Sequence, residues 1–182
     1  MDSTSAKRLN WGCGGSGEPG WVNSDRRDGA LIDHCCDIRD GLPIEAESID
    51  YAVSIHALQE IPWTDLIPVL QELRRVLKPN GVLRLCLPDL DKGLQAFLRR
   101  DREYFLIPDQ DAQSLGGKFI LHVLWLGHSR MLFTGDFIEE LLRKAGFREV
   151  AQCRFHETSS RFGDIIQLDN RESESLFVEA TK

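Results

Sequence analysis

The sequence predicts an α/β fold in which one mostly parallel sheet of seven strands is flanked by helices. Short apolar runs alternate with segments of helical periodicity, which is typical of this class. Two of the helical segments end in a turn that leads directly into an apolar run, as a parallel sheet requires. The length of 182 residues and the 42% hydrophobic content fit one domain with an ordinary core. We therefore expect a single domain over residues 1–182.

The strands are predicted from seven short runs that are apolar or alternate between apolar and polar residues. These runs cover residues 8–11, 22–24, 33–36, 51–55, 82–87, 149–155 and 175–180.

The clearest helix is predicted over residues 64–77, with Thr64 as N-cap and Pro68 early enough to be tolerated. A second helix is predicted over 134–145, where Asp136 lies near the start and Gly146 ends the helix. The first helix presents one apolar face, made by Leu66, Leu70, Leu73 and Leu77.

Residues 91–133 do not fit a simple crossover between two strands. They contain one predicted helix at 92–102, then the pair Gly116-Gly117, then an aromatic stretch around Trp125. We interpret this segment as an insertion that covers the active site.

Composition excludes several classes of function. A net charge of −7 argues against binding nucleic acid backbones. The longest apolar run, 119–126, is too short to cross a bilayer, and no signal segment is evident, so no membrane partner is expected. The five cysteines form no Cys-x-x-Cys pair, which argues against zinc or disulfides and favours the reducing cytoplasm.

A glycine-rich run at residues 12–17, Gly-Cys-Gly-Gly-Ser-Gly, follows the first predicted strand. It matches G-x-G-x-x-G, but a dinucleotide also needs a helix N-terminus behind the loop for its pyrophosphate. Strand residue Val22 comes too soon for such a helix, so the first crossover helix is expected to be shortened or absent. Asp25 likewise comes earlier than the roughly 20-residue spacing of a ribose-binding acid in dinucleotide folds. Because S-adenosylmethionine has no phosphate, the missing helix argues less against S-adenosylmethionine than against NAD.

Several further motifs point the same way. The chain resembles class I S-adenosylmethionine-dependent methyltransferases in several segments. These are residues 8–14, 36–38, 41–43, 48–51, 55–61, 73–81 and 145–147, together with Gly-Trp-x-Asn-x-Asp at 20–25. The resemblance is closest to short bacterial-type predicted methyltransferases. It implies a Rossmann-like fold, S-adenosyl-L-methionine as cofactor and methyl transfer as the activity.

The resemblance also implies roles for residues at the carboxyl ends of the strands. The glycines would meet the amino acid end of the cofactor, Asp25 the ribose, and Asp37 the adenine amino group. The full set of predicted cofactor-binding residues is Asn10, Gly12, Cys13, Gly14, Asp25, Asp37, Ile38, Ser54, Ile55 and His56. Asn10 stands where the family often has an acid, which removes a negative charge from the site.

A hydroxyl acceptor needs a general base, because an alcohol is a poor nucleophile near neutral pH. His128 is the first candidate and His122 the second. Asp89, Asp109 and Asp111 are candidates to hold a divalent cation, the alternative being solvated loop acids.

The acceptor is expected to be a small molecule bound between the 91–133 insertion and the loop at 158–171. That loop carries polar groups, namely Arg161, Asp164, Asn170 and Arg171. They favour O-methylation of a carbohydrate or another hydroxylated metabolite.

Two other classes of function stay open. A non-catalytic binding module derived from a methyltransferase would explain Asn10 and the lost helix, and an NAD-dependent oxidoreductase would use the glycine run. A homodimer contact through Trp63, Phe105 and Trp125 is also open, although core packing explains these residues equally well.

Overall fold

The computed structural model describes residues 6–15 and 17–182. Residues 1–5 and Ser16, the latter within the glycine run, lie outside the described part. The chain forms one seven-stranded sheet with the strand order β3-β2-β1-β4-β5-β7-β6. The strands are β1 Arg8–Trp11, β2 Val22–Asp25, β3 His34–Cys35, β4 Ile49–Ile55, β5 Leu77–Pro88, β6 Arg148–Cys153 and β7 Ser175–Thr181.

The sheet is mostly parallel, as the sequence predicts. Strands β1 to β5 pair in parallel, and β7 runs antiparallel between β5 and β6. The largest difference in bounds is at β5, which begins at Leu77 because that residue already pairs with Ile49. The predicted turn at 78–81 is thus an irregularity inside the strand, with Asn80 at φ 60°.

Four α-helices are present in the described part: α1 Leu66–Val76, α2 Leu90–Leu98, α3 Leu115–Val123 and α4 Gly135–Lys144. Helix α1 begins after a 3-10 turn at Trp63–Asp65, so Asp65 and not Thr64 is its N-cap. Helix α2 begins two residues earlier than predicted because the Asp89 carboxylate caps it, accepting from the backbone N–H groups of Asp91 and Lys92.

Helices α1 and α4 cover one face of the sheet. Their apolar stripes pack with the residues of β1, β4, β5 and β7 that point to the same face, forming the larger core. Fully buried members from the helices are Leu66, Leu70, Leu73, Val76, Ile138, Leu141 and Leu142. This packing fixes the strands whose ends carry the candidate site.

The opposite face is covered by the segment between β6 and β7. Ile165 and Phe162 from this segment pack against Tyr51 and Val53 of β4. Tyr51 also makes an edge-on contact with Trp21 at a ring-centroid distance of 5.5 Å. The loop predicted at 158–171 to line the acceptor pocket therefore acts largely as a cover for the sheet.

A buried cluster of charged side chains attaches this covering segment to the sheet. The Arg84 guanidinium of β5 is fully buried and makes two hydrogen bonds to the Asp169 carboxylate, at 2.7 and 2.6 Å. It donates a third, at 2.7 Å, to Glu179 of β7. Because Asp169 lies in the covering segment, the cluster joins that segment to the centre of the sheet.

The connection from β1 to β2 contains no helix among its described residues, as the sequence predicts. Asn23 of β2 holds this connection instead: its side chain accepts from the Glu18 N–H at 2.9 Å and donates to the Glu18 carbonyl at 2.9 Å. The glycine turn therefore enters the sheet without a helix behind it.

The 91–133 insertion is closed at its base and carries two helices. Asp89 and Phe133 form a parallel bridge, and the Leu90 N–H donates to the Phe133 carbonyl at 3.0 Å. Helices α2 and α3 pack through Phe97 and Phe119, whose ring centroids are 4.9 Å apart. No helix within residues 6–15 and 17–182 is long and apolar enough to cross a bilayer.

Candidate active site

A cavity of about 350 Å³ lies at the carboxyl ends of the parallel strands. This is the size and position at which open α/β sheets bind small molecules. Of the predicted cofactor-binding residues, eight line it: Gly12, Cys13, Gly14, Asp25, Asp37, Ile38, Ile55 and His56. The insertion supplies a second wall that includes His122, Val123 and Trp125.

The glycine turn forms the floor of the cavity. Gly12 and Gly14 both have φ of 68°, which favours glycine. A Cβ atom on Gly12 would lie 2.2 Å from the Cβ of Ala57, so no side chain fits there without displacing the backbone. The Gly12 N–H donates to the Ser24 carbonyl at 2.8 Å, which holds the turn against β2.

Asp25, at the end of β2, orders the rest of the turn. One carboxylate oxygen accepts from the Gly14 N–H at 2.7 Å, and the other accepts from the Arg27 N–H at 2.8 Å. Each carboxylate oxygen has a further lone pair for a ligand. Asp25 is thus a fixed, buried acceptor on the wall of the cavity.

Asp37 lies on the same rim and is paired with Arg39. The guanidinium donates to both carboxylate oxygens, at 3.0 and 2.6 Å, and this hydrogen bonding lowers the pKa of Asp37 to about 2. Asp37 therefore remains a carboxylate at any physiological pH and can act only as a hydrogen-bond acceptor.

Two other residues of the rim are electrically neutral. Burial raises the pKa of the Cys13 thiol to about 11, with a further contribution from Asp25, so this cysteine is not a nucleophile. Burial lowers the pKa of His56 to about 4, assisted by the positive charge of Arg171. The His56 ring is held by a 2.8 Å hydrogen bond between Nε2 and the Ser175 hydroxyl.

Asn10 and Ser54 do not line the cavity, contrary to the prediction. Both side chains are buried within the sheet. Asn10 donates to the Asn23 side chain at 3.2 Å and so supports the β1–β2 connection. Each lies one residue before the end of its strand, and the strand-end residues Trp11 and Ile55 line the cavity instead. The prediction from sequence placed the edge of the cavity one residue too early on β1 and β4.

The structure also separates the two candidate histidines. His128 is exposed in the turn after α3 and lies outside the cavity lining, whereas His122 of α3 is buried and lines it. The Nε2 atom of His122 lies 3.8 Å from a carboxylate oxygen of Glu174. Burial lowers the pKa of His122, which keeps the ring neutral, and raises the pKa of Glu174.

The three acids considered for a divalent cation are not brought together. Asp89 lines the cavity and caps α2, while Asp109 is held by Arg102 and Lys118 outside it. No group of three His, Cys, Asp or Glu residues suited to a metal ion occurs in the described ranges.

Of the polar loop residues expected to bind the acceptor, only Arg171 lines the cavity. Its guanidinium lies 5.1 Å from the ring centroid of Trp125, and its Nε lies 3.7 Å from Glu174. Asp164 lies near Arg8 on the sheet face, and Arg161 is over the Phe162 ring, so both belong to the cover.

Sequence reasoning missed Glu174 and Gln59. Glu174 directly precedes β7, and because β7 is antiparallel its beginning lies at the edge where the parallel strands end. Gln59 lies within the recognised motif at 55–61; its Nε2 donates to the His56 carbonyl at 2.6 Å, and its buried Oε1 has no partner. An exposed pair after Asp25, Arg26 and Arg27, also lines the cavity.

Comparison with known proteins agrees with this geometry. Residues 11–85, which include the glycine turn, Asp25, Asp37 and His56, match a family model described as a methyltransferase domain. This part of the chain is therefore similar to a methyltransferase domain.

Solved structures share the fold of this chain at low sequence identity. A SAM-dependent methyltransferase from Archaeoglobus fulgidus has a TM-score of 0.59 at 11% identity, with 97% of this chain and 86% of that chain covered. One from Thermotoga maritima has a TM-score of 0.58 at 18% identity, with 98% and 83% covered. These likenesses confirm the Rossmann-like fold.

Curated relatives of the chain include demethylmenaquinone methyltransferases. The protein from Staphylococcus haemolyticus is 30% identical over 110 residues, which is 60% of this chain and 45% of that protein. The protein from Geobacillus kaustophilus is 33% identical over 110 residues, covering 60% and 46%. The matched part thus spans less than half the length of these relatives.

Proposed function

We propose that the chain binds S-adenosyl-L-methionine and transfers its methyl group to a small acceptor. The observation that carries the proposal is the turn from Gly12 to Gly14, which is hydrogen-bonded to Asp25 and is followed by no helix among the described residues before β2. Such a site offers close backbone approach and a ribose acceptor without a helix N-terminus for a pyrophosphate. The same observation argues against NAD.

The residues that line the cavity fit the parts of this cofactor. Gly12 and Gly14 leave room for the amino acid end, Asp25 accepts from the ribose hydroxyls, and Asp37 accepts from the adenine amino group beside Ile38. The bound cofactor supplies an electrophilic methyl group on a sulfonium. The protein's part is to align the acceptor with that methyl group and to exclude water.

The wall opposite the glycine turn favours a planar, apolar acceptor that carries a hydroxyl group. Its apolar side chains are Trp125, Val123, Leu132, Leu90, Ile61 and Pro62. Polar residues lie among them, namely His122, Glu174, Arg130, Arg171, Gln59, Glu60 and Asp89. The carbohydrate expected from the sequence rested on loop residues that largely cover the sheet. Relatives named for demethylmenaquinone also give it no support.

His122 is proposed as the base that removes the acceptor's proton. Its Nδ1 is buried without a partner, whereas Nε2 lies beside Glu174 at the cavity. With the cofactor supplying the methyl group, Nε2 would take up the proton that the acceptor hydroxyl loses on methylation. The lowered pKa keeps the ring in the unprotonated form that this step requires.

The cofactor assignment is tested by calorimetry with S-adenosylhomocysteine, S-adenosylmethionine, NAD and NADP. We expect binding of the first two and none of the dinucleotides. Dinucleotide binding alone would favour the oxidoreductase alternative, and absence of all binding would contradict the proposal. A non-catalytic module would bind the cofactor yet give no turnover when phenols, quinols and sugars are offered with radiolabelled methyl donor.

Replacing His122 with asparagine is expected to lower kcat by about 10²- to 10⁴-fold, as for the loss of a general base. The matched control is His128→Asn, which alters an exposed histidine outside the cavity and is expected to leave kcat unchanged. Both variants should bind S-adenosylhomocysteine like the unmodified protein. Full activity of the His122 variant, or loss of activity in the His128 variant, would reject the assignment.

A further inference from the structure

The outer side of the insertion exposes an unusual amount of apolar surface. Eight large hydrophobic residues are exposed in the described part of the chain, and six of them lie in the insertion. These six, called the cap face below, are Leu94, Leu98, Leu106, Ile120, Leu124 and Leu126. Leu98 is 78% exposed and Leu106 is 67% exposed, although monomers rarely gather such residues in one region.

The cap face is held together by the packing of α2 on α3. Leu94 and Leu98 are one turn apart on α2, and Ile120 of α3 is one turn before Leu124, the C-cap of that helix. The two helices approach closely at Gly93, where an added Cβ would lie 3.5 Å from Val123. Each helix therefore uses one side for mutual packing and leaves an apolar side exposed.

Charge distinguishes the cap face from the rest of this acidic chain. No Asp or Glu occurs between Asp111 and Asp136, a stretch that includes all of α3. At the end of α2, Arg99 and Arg100 are exposed, and within the described residues neither pairs with a carboxylate. Asp109 is neutralised by Arg102 and Lys118, each within 2.8 Å. The other exposed acids of the insertion are Asp91, Glu103 and Asp111.

We propose that the cap face docks on the surface of an anionic lipid bilayer, although the sequence alone predicts no membrane partner. Exposed leucine and isoleucine beside unpaired arginines is the combination that binds the interface of anionic membranes without spanning them. A second copy of the chain fits less well, because pairing two cap faces would bring two sets of unpaired arginines together.

Docking would also place the acceptor wall at the lipid. Helix α3 and the turn after it present His122, Val123 and Trp125 to the cavity and Ile120, Leu124 and Leu126 to the outside. An apolar acceptor dissolved in the bilayer would then reach the cavity along the insertion. This last consequence rests on the proposed function, whereas the docking itself does not.

The test is sedimentation of the full chain with vesicles, which needs neither cofactor nor acceptor. We expect binding to phosphatidylcholine vesicles that contain phosphatidylglycerol, weaker binding to phosphatidylcholine alone, and release by salt. Leu98→Glu or Ile120→Glu should weaken the partition by about tenfold or more through lost apolar burial. Arg99→Gln and Arg100→Gln should each weaken it about fivefold.

The matched control is Leu31→Glu, an exposed leucine between β2 and β3 and away from the cap face, which should bind like the unmodified protein. Circular dichroism and light scattering on each variant verify folding and oligomeric state. Absence of binding to anionic vesicles, or binding that Leu98→Glu and Ile120→Glu leave unchanged, overturns the proposal. A dimer that these two variants dissociate, without vesicle binding, would assign the cap face to a second copy instead.

Discussion

Replacing Asp25 with alanine is expected to weaken S-adenosylhomocysteine binding by at least about a hundredfold. The lost carboxylate would make two charge-assisted hydrogen bonds to the ribose, each contributing about 1.5–3 kcal/mol. It also accepts from the Gly14 and Arg27 N–H groups, so the glycine turn loses its anchor as well. Asp25→Asn keeps one acceptor oxygen and should lie between the alanine variant and the unmodified protein.

Calorimetric titration measures this effect, with Asp28→Asn as the matched control. Asp28 is exposed, lies outside the cavity lining and accepts only from the adjacent Gly29 N–H. Its replacement should leave the affinity unchanged. If Asp25→Ala retained both its fold, judged by circular dichroism, and the unmodified affinity, the ribose assignment would be wrong.

Replacing Arg84 with leucine is expected to lower the free energy of unfolding by about 3–5 kcal/mol. Arg84 and Asp169 have side chains that are 0% exposed, and Glu179 has one that is 6% exposed. Removing the guanidinium would leave two carboxylates buried without a counter-charge. It would also release the backbone carbonyls of Glu157 and Arg154, which Arg84 now holds at 3.1 and 3.3 Å.

Urea unfolding followed by circular dichroism checks this prediction. Arg143→Leu is the control, because Arg143 forms an exposed pair with Glu139 on α4 and should contribute less than about 1 kcal/mol. Replacing Arg84, Asp169 and Glu179 together with apolar residues should recover much of the loss, because no unpaired charge remains. An Arg84 variant as stable as the control would show that the cluster does not fasten the cover.

Much of the fold could be predicted because its signals are local. The apolar runs located all seven strands, and the spacing between β1 and β2 correctly predicted that no crossover helix fits there. Helix α3 was missed because Gly116 and Gly117 in its first turn weaken its helical signal. Its Ser114 cap, which accepts from the Gly117 N–H at 3.0 Å, was the signal that could have revealed it.

The candidate site was predictable where a residue follows directly from a strand end. Gly12, Asp25, Asp37 and His56 lie on the cavity for that reason. The predictions for Asn10 and Ser54 were wrong because each lies one residue before the end of its strand, inside the sheet. The residues that end β1 and β4, Trp11 and Ile55, line the cavity instead. The acceptor wall could not be predicted, since it depends on how the insertion folds back and on β7 running antiparallel.

The six residues from Asp169 to Glu174 connect the segment that covers the sheet to the first residue of β7. Asp169 is fixed to the centre of the sheet by Arg84, and Ser175 begins β7 opposite Pro88. Arg171 and Glu174, which face the acceptor, therefore sit on a short bridge with both ends immobilised. Substitutions within these six residues can therefore change acceptor preference without moving the sheet. Insertions or deletions there would displace Asp169 or β7 and so destabilise the core.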